Sequence, residues 1–295
     1  MAIDMDNMRG SLLMVIAMLG FALEDMLIKQ MSGALPVGQI LAVIGIGGGA
    51  AFGLYGLMRG LPVFSRSAIH PAVLGRTLCE MIGSVAFVTA LSKIDLSLAS
   101  AILQATPLIV TAGAALFLSE TVGWKRWAAI AVGFGGVILV LRPGLDGFEP
   151  DALWAVLGVL GLGSRDLFTR RIPADVTTVQ VATYAFLSLV PTGLILLAVT
   201  GTAMASPEAV DTWRLIAAIF TGIVAYYTIV SATRIGDIAV VSPFRYSRLV
   251  FALVIGALAF GERPDALMLL GAFIIVASGL FSLWREGRAR SASPS

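Results

Sequence analysis

Charge, histidine and cysteine are all scarce in this chain. Only 13% of the 295 residues are charged, there is one histidine, His70, and one cysteine, Cys79. A single cysteine excludes a disulfide framework within the chain. A single histidine and no HExxH, CxxC or P-loop pattern remove the usual signatures of metal and nucleotide sites. No G-x-S-x-G serine with a histidine base and no Asp-rich diphosphate motif is present, so a membrane-embedded enzyme has no chemistry to work with. No cofactor and no metal is called for. The net charge is +2, and the 20 basic residues are dispersed, which excludes a nucleic-acid partner. What is abundant is apolar: 58% of residues are hydrophobic and the mean hydropathy is +0.94, against about 45–50% apolar in soluble domains. That composition specifies a polytopic protein whose solvent is the lipid bilayer.

A helix needs about 20 apolar residues to cross about 30 Å of hydrocarbon. Cutting at charge, Pro and Gly predicts ten crossings, at residues 10–30, 34–58, 72–92, 97–118, 124–141, 152–169, 178–200, 213–233, 238–260 and 266–284. The first lacks a small-x-small cleavage site and holds Glu24 and Asp25, so it reads as a retained helix. An even number of crossings puts both termini on one side. The connectors and tails of that side carry Arg9, Arg59, Arg66, Lys125, Arg126, Arg170, Arg171, Arg234, Arg285, Arg288 and Arg290; the other side carries Lys29, Lys93, Arg142, Arg214 and Arg263. Eleven against five predicts cytoplasmic termini in a plasma (inner) membrane protein by the positive-inside rule.

Shifting the chain by about 141 residues superposes polar residues that hydrophobicity alone would not align. Glu24-Asp25 with Lys29 falls on Arg165-Asp166 with Arg170. Asp95 to Glu120 falls on Asp237 to Glu262, with Ser100 over Ser242 and Phe117-Leu118-Ser119-Glu120 over Ala259-Phe260-Gly261-Glu262. Each half holds five crossings, an odd number, so the second copy enters the membrane with opposite polarity, as in alternating-access carriers. The predicted division is 1–146 and 147–286, each a five-helix repeat, followed by a short polar tail at 287–295.

A helix closing on FLSE or AFGE, a short turn, and a last helix with Gly271 and Gly279 nine and seventeen residues after Glu262 resembles the EamA repeat of the drug/metabolite transporter superfamily. The first copy departs from it, with glycines at Gly133, Gly135 and Gly136. Within that superfamily the sequence is similar to YddG-type amino-acid exporters. The resemblance implies an all-α integral membrane protein, ten helices as two inverted repeats around a central cavity, and outward transport of amino acids such as Phe, Thr or Met, or of related metabolites. Other substrate classes of such carriers, namely drugs, purines or nucleotide sugars, stay open, as do proton coupling and oligomeric state.

Charges inside spans cost at least about 2.5–3.5 kcal/mol each and mark partners or wet cavities. As gating or ion-coupling candidates these are Glu24 and Asp25 in the first crossing, Arg76 and Glu80 in the third, and Arg165 and Asp166 in the sixth. Arg76 and Glu80, at i and i+4, are also placed to neutralise one another. Lys29 and Arg170 are also placed to snorkel with the neighbouring acids as partners. The ninth crossing, Ser242-Pro243-Phe244-Arg245-Tyr246-Ser247-Arg248, sets a proline and two arginines in an apolar span, and its repeat mate holds Gln104, Thr106 and Pro107. Proline removes a backbone donor and frees a carbonyl, tolerated in hydrocarbon only beside protein, water or substrate. Pro107 and Pro243 are therefore predicted helix kinks lining the cavity; the alternative is a kink that only improves packing, with Arg248 salt-bridged to an acid such as Asp166 or Glu80. A zwitterionic substrate needs an anion partner (Arg245 or Arg248), a cation partner (Gln104, Ser242 or a freed carbonyl) and an apolar slot. Tyr226, Tyr227, Phe244, Tyr246, Phe87 and Trp154 are candidates for that slot, with Thr106 beside it. Gly45, Gly49 and Gly53 form a small-residue stripe on the second crossing for close approach of another helix.

Overall fold

Thirty-two glycines and a largely apolar chain leave the backbone few options in lipid other than closed hydrogen bonding within helices. The computed structural model describes residues 2–63, 65, 69–118, 120, 122–145 and 147–292. Arg66 and Ser119, named above, lie outside the described residues, as does the end of the polar tail. Among the described residues there is no strand, and ten helical spans are long and apolar enough to cross a membrane. The helices are α1 (Ala2–Met31), α2 (Val37–Met58), α3 (Pro71–Lys93), α4 (Leu96–Leu103), α5 (Thr106–Phe117) and α6 (Trp124–Leu141) in the first half. The second half holds α7 (Ala152–Thr169), α8 (Thr178–Thr200), α9 (Ala209–Ile235), α10 (Ile238–Val241), α11 (Ser247–Phe260) and α12 (Ala266–Ala292). The crossings agree with the sequence reading to within a few residues, except that α1 starts earlier and α12 runs on through the segment expected as a tail.

Two crossings are broken, and the sequence says why. Between α4 and α5 the chain turns at Gln104 and Ala105, and Pro107 sits in the first turn of α5. Proline has no N–H to give the carbonyl of Leu103, and the Thr106 hydroxyl donates to that oxygen instead, at 2.6 Å. Its repeat mate is a 3-10 turn, Ser242–Tyr246, started by Pro243 between α10 and α11. The predicted kinks are thus full interruptions. Gln104 Nε2 donates to the Tyr246 carbonyl at 3.1 Å, tying one broken segment to the other across the two halves.

Packing between the halves follows the repeat. The second crossing packs chiefly on the seventh (α2 on α8), the fifth on the tenth (α6 on α12), the first on the eighth (α1 on α9) and the third on the sixth (α3 on α7). Exchanging the halves maps this set of pairs onto itself, which is what a pseudo-two-fold between inverted copies requires. The glycine stripe of α2 finds its partner within the chain. Gly45 and Gly49 lie against Phe186, Leu187, Leu189 and Val190 of α8. Where α2 and α8 cross, a Cβ on either Gly38 or Gly193 would overlap the carbonyl oxygen of the other, so the backbones touch directly. We call the end of the bundle that carries both chain termini the terminal face and the opposite end, where α1 finishes and α4 begins, the distal face.

Candidate functional site

Toward the terminal face, α3, α7 and the 3-10 turn bring five charged side chains together. Arg165 donates to Glu80 (Nη1 to Oε1, 3.0 Å) and to Asp166 (Nη2 to Oδ1, 2.8 Å). Arg76 pairs with Glu80 at 3.3 Å, as the i, i+4 spacing foretold, and its Nε donates to the Thr169 hydroxyl at 3.1 Å. Arg245, at the 3-10 turn, reaches Asp166 only at 3.8 Å and keeps a side chain 41% exposed. Three guanidinium groups face two carboxylates, so the cluster has one formal positive charge in excess. Arg76 is almost wholly buried, and its Nη1 has no hydrogen-bond partner among the described residues.

One turn along from Arg245, Arg248 points into a second cluster of opposite sign. It holds Asp25 with two hydrogen bonds, at 2.6 and 3.2 Å, and lies over the rings of Phe21 and Phe87, 5.2 and 5.7 Å from their centroids. Neither Glu80 nor Asp166 is its partner; the acid of α1 is. Glu24 lies against Gly222 of α9 and makes no hydrogen bond or ion pair with any described residue. Two acidic side chains face one guanidinium, a formal excess of one acid. The two poles are separated by three residues of the Arg245–Arg248 segment, about 5 Å of rise.

Beside the first cluster stands an aromatic group. Tyr226 of α9, one turn from Gly222, meets Phe52 and Phe186 edge-on, with centroids 5.5 and 5.9 Å apart, while those two rings stack at 5.6 Å. Tyr226 and Phe87 are among the candidates from the sequence; Phe52 and Phe186 are not. Both look like ordinary core residues of their helices, and only the α2–α8 crossing puts them beside Tyr226.

Other candidates lie elsewhere. Gln104 and Thr106 are buried and engaged with backbone at the helix breaks. Tyr246 is buried against Gly279 of α12, with its hydroxyl lacking a partner among the described residues. Tyr227 and Phe244 are exposed, and Trp154 is too, away from both clusters' contacts. Ser242 opens the 3-10 turn. Pro107 and Pro243 stand at the first turns of the segments they interrupt.

Lys29 and Glu262 were read from the sequence only as a snorkelling residue and a repeat marker. Glu262 crosses from the second half to the start of α4, where Oε1 accepts from Leu96 N (2.7 Å) and Oε2 from Ser97 N (2.9 Å) and Ser97 Oγ (2.6 Å). Lys29 Nζ sits 4.0 Å from Glu262 and donates to the carbonyl of Ile94 where α3 ends. Asp25 is therefore not the partner of Lys29. At the terminal face the repeat-related pair, Arg170 and Glu120, meet at 2.8 Å with both side chains exposed. Outside the spans, burial first and Glu262 second push the Asp95 carboxyl above its ordinary range, and Lys29 opposes them. Among the described residues, no group of three or more His, Cys, Asp or Glu side chains is arranged to hold a metal ion.

Ten crossings in two interlocked halves, with paired charges buried between them, define a membrane carrier. The family model described as the EamA-like transporter family matches residues 8–142 and 150–284, and the chain belongs to that family. It is similar to a riboflavin transporter of Rhizobium johnstonii, 32% identical over 73% of this chain and 70% of that protein. It is also similar to an S-adenosylmethionine uptake transporter of Rickettsia felis, 26% identical over 77% of this chain and 75% of the other. A pseudopaline exporter of Pseudomonas aeruginosa is 27% identical over 90% and 93% of the two chains. One crystal structure aligns with 96% of this chain and 99% of its own, at TM-score 0.63 and 19% identity, a likeness of fold. The protein is a multi-pass transporter of small molecules and not an enzyme.

Proposed function

We propose that this chain is a secondary carrier, in the inner membrane with its terminal face in the cytoplasm, for small amphipathic metabolites that carry both a positive and a negative group. The observation that supports this most directly is the pair of oppositely unbalanced clusters, one turn apart on the Arg245–Arg248 segment. Arg245, loosely held and half exposed, receives a carboxylate. Glu24, which has no hydrogen bond or ion pair among the described residues, receives an ammonium or other cation, or a proton when the substrate lacks one. Tyr226 and Phe87 offer ring faces to the body of the substrate. Amino acids such as Phe and Met fit this description, and so does a sulfonium-bearing amino acid joined to a flat base, the kind of cargo named for the Rickettsia relative.

Relatives are named for uptake as well as for export. Outward movement of amino acids is thus one direction of a carrier that follows the gradient it is given. The test is counterflow in proteoliposomes preloaded in turn with Phe, Thr, Met, riboflavin or S-adenosylmethionine, with and without a pH gradient. Exchange of at least one zwitterion, competed by others of its class, supports the reading. Movement of the uncharged flavin alone, indifferent to zwitterions, would replace it, since the charged poles then have no role. A response to the pH gradient that disappears in Glu24→Gln assigns proton coupling to that carboxylate.

A further inference from the structure

At the distal face a buried carboxylate of one half is bound by the other. Glu262 follows α11 in the second repeat, and every group that holds it belongs to the first: the N–H groups of Leu96 and Ser97, the Ser97 hydroxyl and, at 4.0 Å, Lys29. Its side chain is only 3% exposed. The two N–H groups open helix α4 and lack intrahelical acceptors, so the carboxylate satisfies donors that are otherwise orphaned in a dry place. Lys29, on α1, binds the Ile94 carbonyl at the end of α3, so α1, α3, α4 and the end of α11 meet at one point. The repeat-related Glu120 at the terminal face makes no such bridge between halves that deep: its carboxylate is 41% exposed on Arg170. Of the two repeat-related carboxylates, one is buried between the halves and the other is largely open to solvent.

We infer that Glu262 on Leu96 and Ser97 is the releasable latch of the distal gate, and that it leaves these donors in each transport cycle. The proposal rests on the carrier reading above. Ser97 adds the third hydrogen bond, and the equivalent residue of the second repeat is Ala239, which has no hydroxyl to give. The two gates are therefore unequal in chemistry, and the latch biases the protein toward the distal-closed state.

The test uses the full chain in membranes with Cys79→Ser as background and a single probe cysteine, Ser100→Cys, one turn behind the latch on α4, where Ser100 is 1% exposed. An impermeant maleimide is applied from the distal side. Glu262→Gln, which gives up the charge and one acceptor, should raise the labelling rate about tenfold, the ratio that about 1.4 kcal/mol from one charge-assisted hydrogen bond gives. Ser97→Ala, a milder change that preserves folding, should raise it by a smaller factor. Labelling rates equal to the parent in both variants overturn the latch. A second arm places cysteines at 97 and 262 and joins them with a short bis-thiosulfonate linker. Transport lost on linking and restored by reductant supports release in each cycle, whereas full transport by the linked protein shows a static brace and overturns it. Labelling needs no substrate, so a wrong substrate assignment leaves the first arm intact.

Discussion

Replacing Arg245 separates a role in substrate binding from a role in folding. Its only ion-pair partner among the described residues is Asp166 at 3.8 Å, with the two side chains 41% and 24% exposed. Exposed pairs of that kind contribute about 0.2–1 kcal/mol. For a protein of this size that is a shift of about 2–4 °C in Tm at most. A substrate carboxylate bound by the guanidinium in a drier setting is worth about 1.5–3 kcal/mol, or about ten- to hundredfold in KM. Arg165 gives the opposite pattern. It is held by Glu80 at 3.0 Å and Asp166 at 2.8 Å, and without it those carboxylates keep only Arg76 at 3.3 Å and Arg245 at 3.8 Å, so its removal costs up to about 3 kcal/mol. The assay is counterflow kinetics of the best zwitterionic substrate on Arg245→Ala, Arg245→Lys and Arg165→Ala, alongside thermal unfolding in detergent. Arg245→Ala should lose affinity at nearly unchanged Tm, and Arg245→Lys should recover part of it by restoring the charge without the fork. If Arg245→Ala melts as early as Arg165→Ala, or transports with the parental KM, the positive pole is structural and the argument from unbalanced charge fails.

Further expectations concern the rest of the bundle. Asp25→Asn removes the one carboxylate bonded to Arg248, leaving it the rings of Phe21 and Phe87 and the unbonded Glu24 nearby, and should destabilise by up to about 3 kcal/mol, while Asp25→Asn with Arg248→Met should recover much of the loss; a double-mutant cycle in thermal unfolding reads this directly. Asp95 is an acid whose folded range is raised by burial and Glu262, so the folded state binds its proton more tightly than the unfolded one and loses stability as pH rises through that raised range. Asp95→Asn, at a position whose side chain makes no capping hydrogen bond, should therefore raise Tm at neutral pH, with the gain vanishing toward pH 4; a gain independent of pH rules this explanation out. Gly193→Ala drives a methyl into the Gly38 carbonyl where α2 and α8 cross and should cost about 1–3 kcal/mol, whereas Gly53→Ala, whose nearest neighbour leaves ordinary contact distance, should be nearly silent in the same melt.

The ten crossings and the duplication were legible because lipid makes hydrophobic length a direct signal and because the repeat preserves charged residues at fixed offsets. The breaks at Pro107 and Pro243 were legible for the same reason: a missing backbone donor is a local property. Pairing was not. Arg248 chose Asp25, 223 residues away, over Glu80 and Asp166, and Lys29 turned to the end of α3 and to Glu262 rather than to the acids on its own helix. Local spacing offers each charge a partner, but which one it takes depends on where an inverted second half places its helices. Phe52 and Phe186 became part of an aromatic group only through the α2–α8 crossing, and Glu262 became a latch only because α11 ends where α4 begins. Composition and repeat thus determined the kind of protein, the number of crossings and which charges lie inside. The tertiary structure decided which of those charges are satisfied and which are left over, because electrostatic balance is a property of neighbours in space and not of neighbours in the chain.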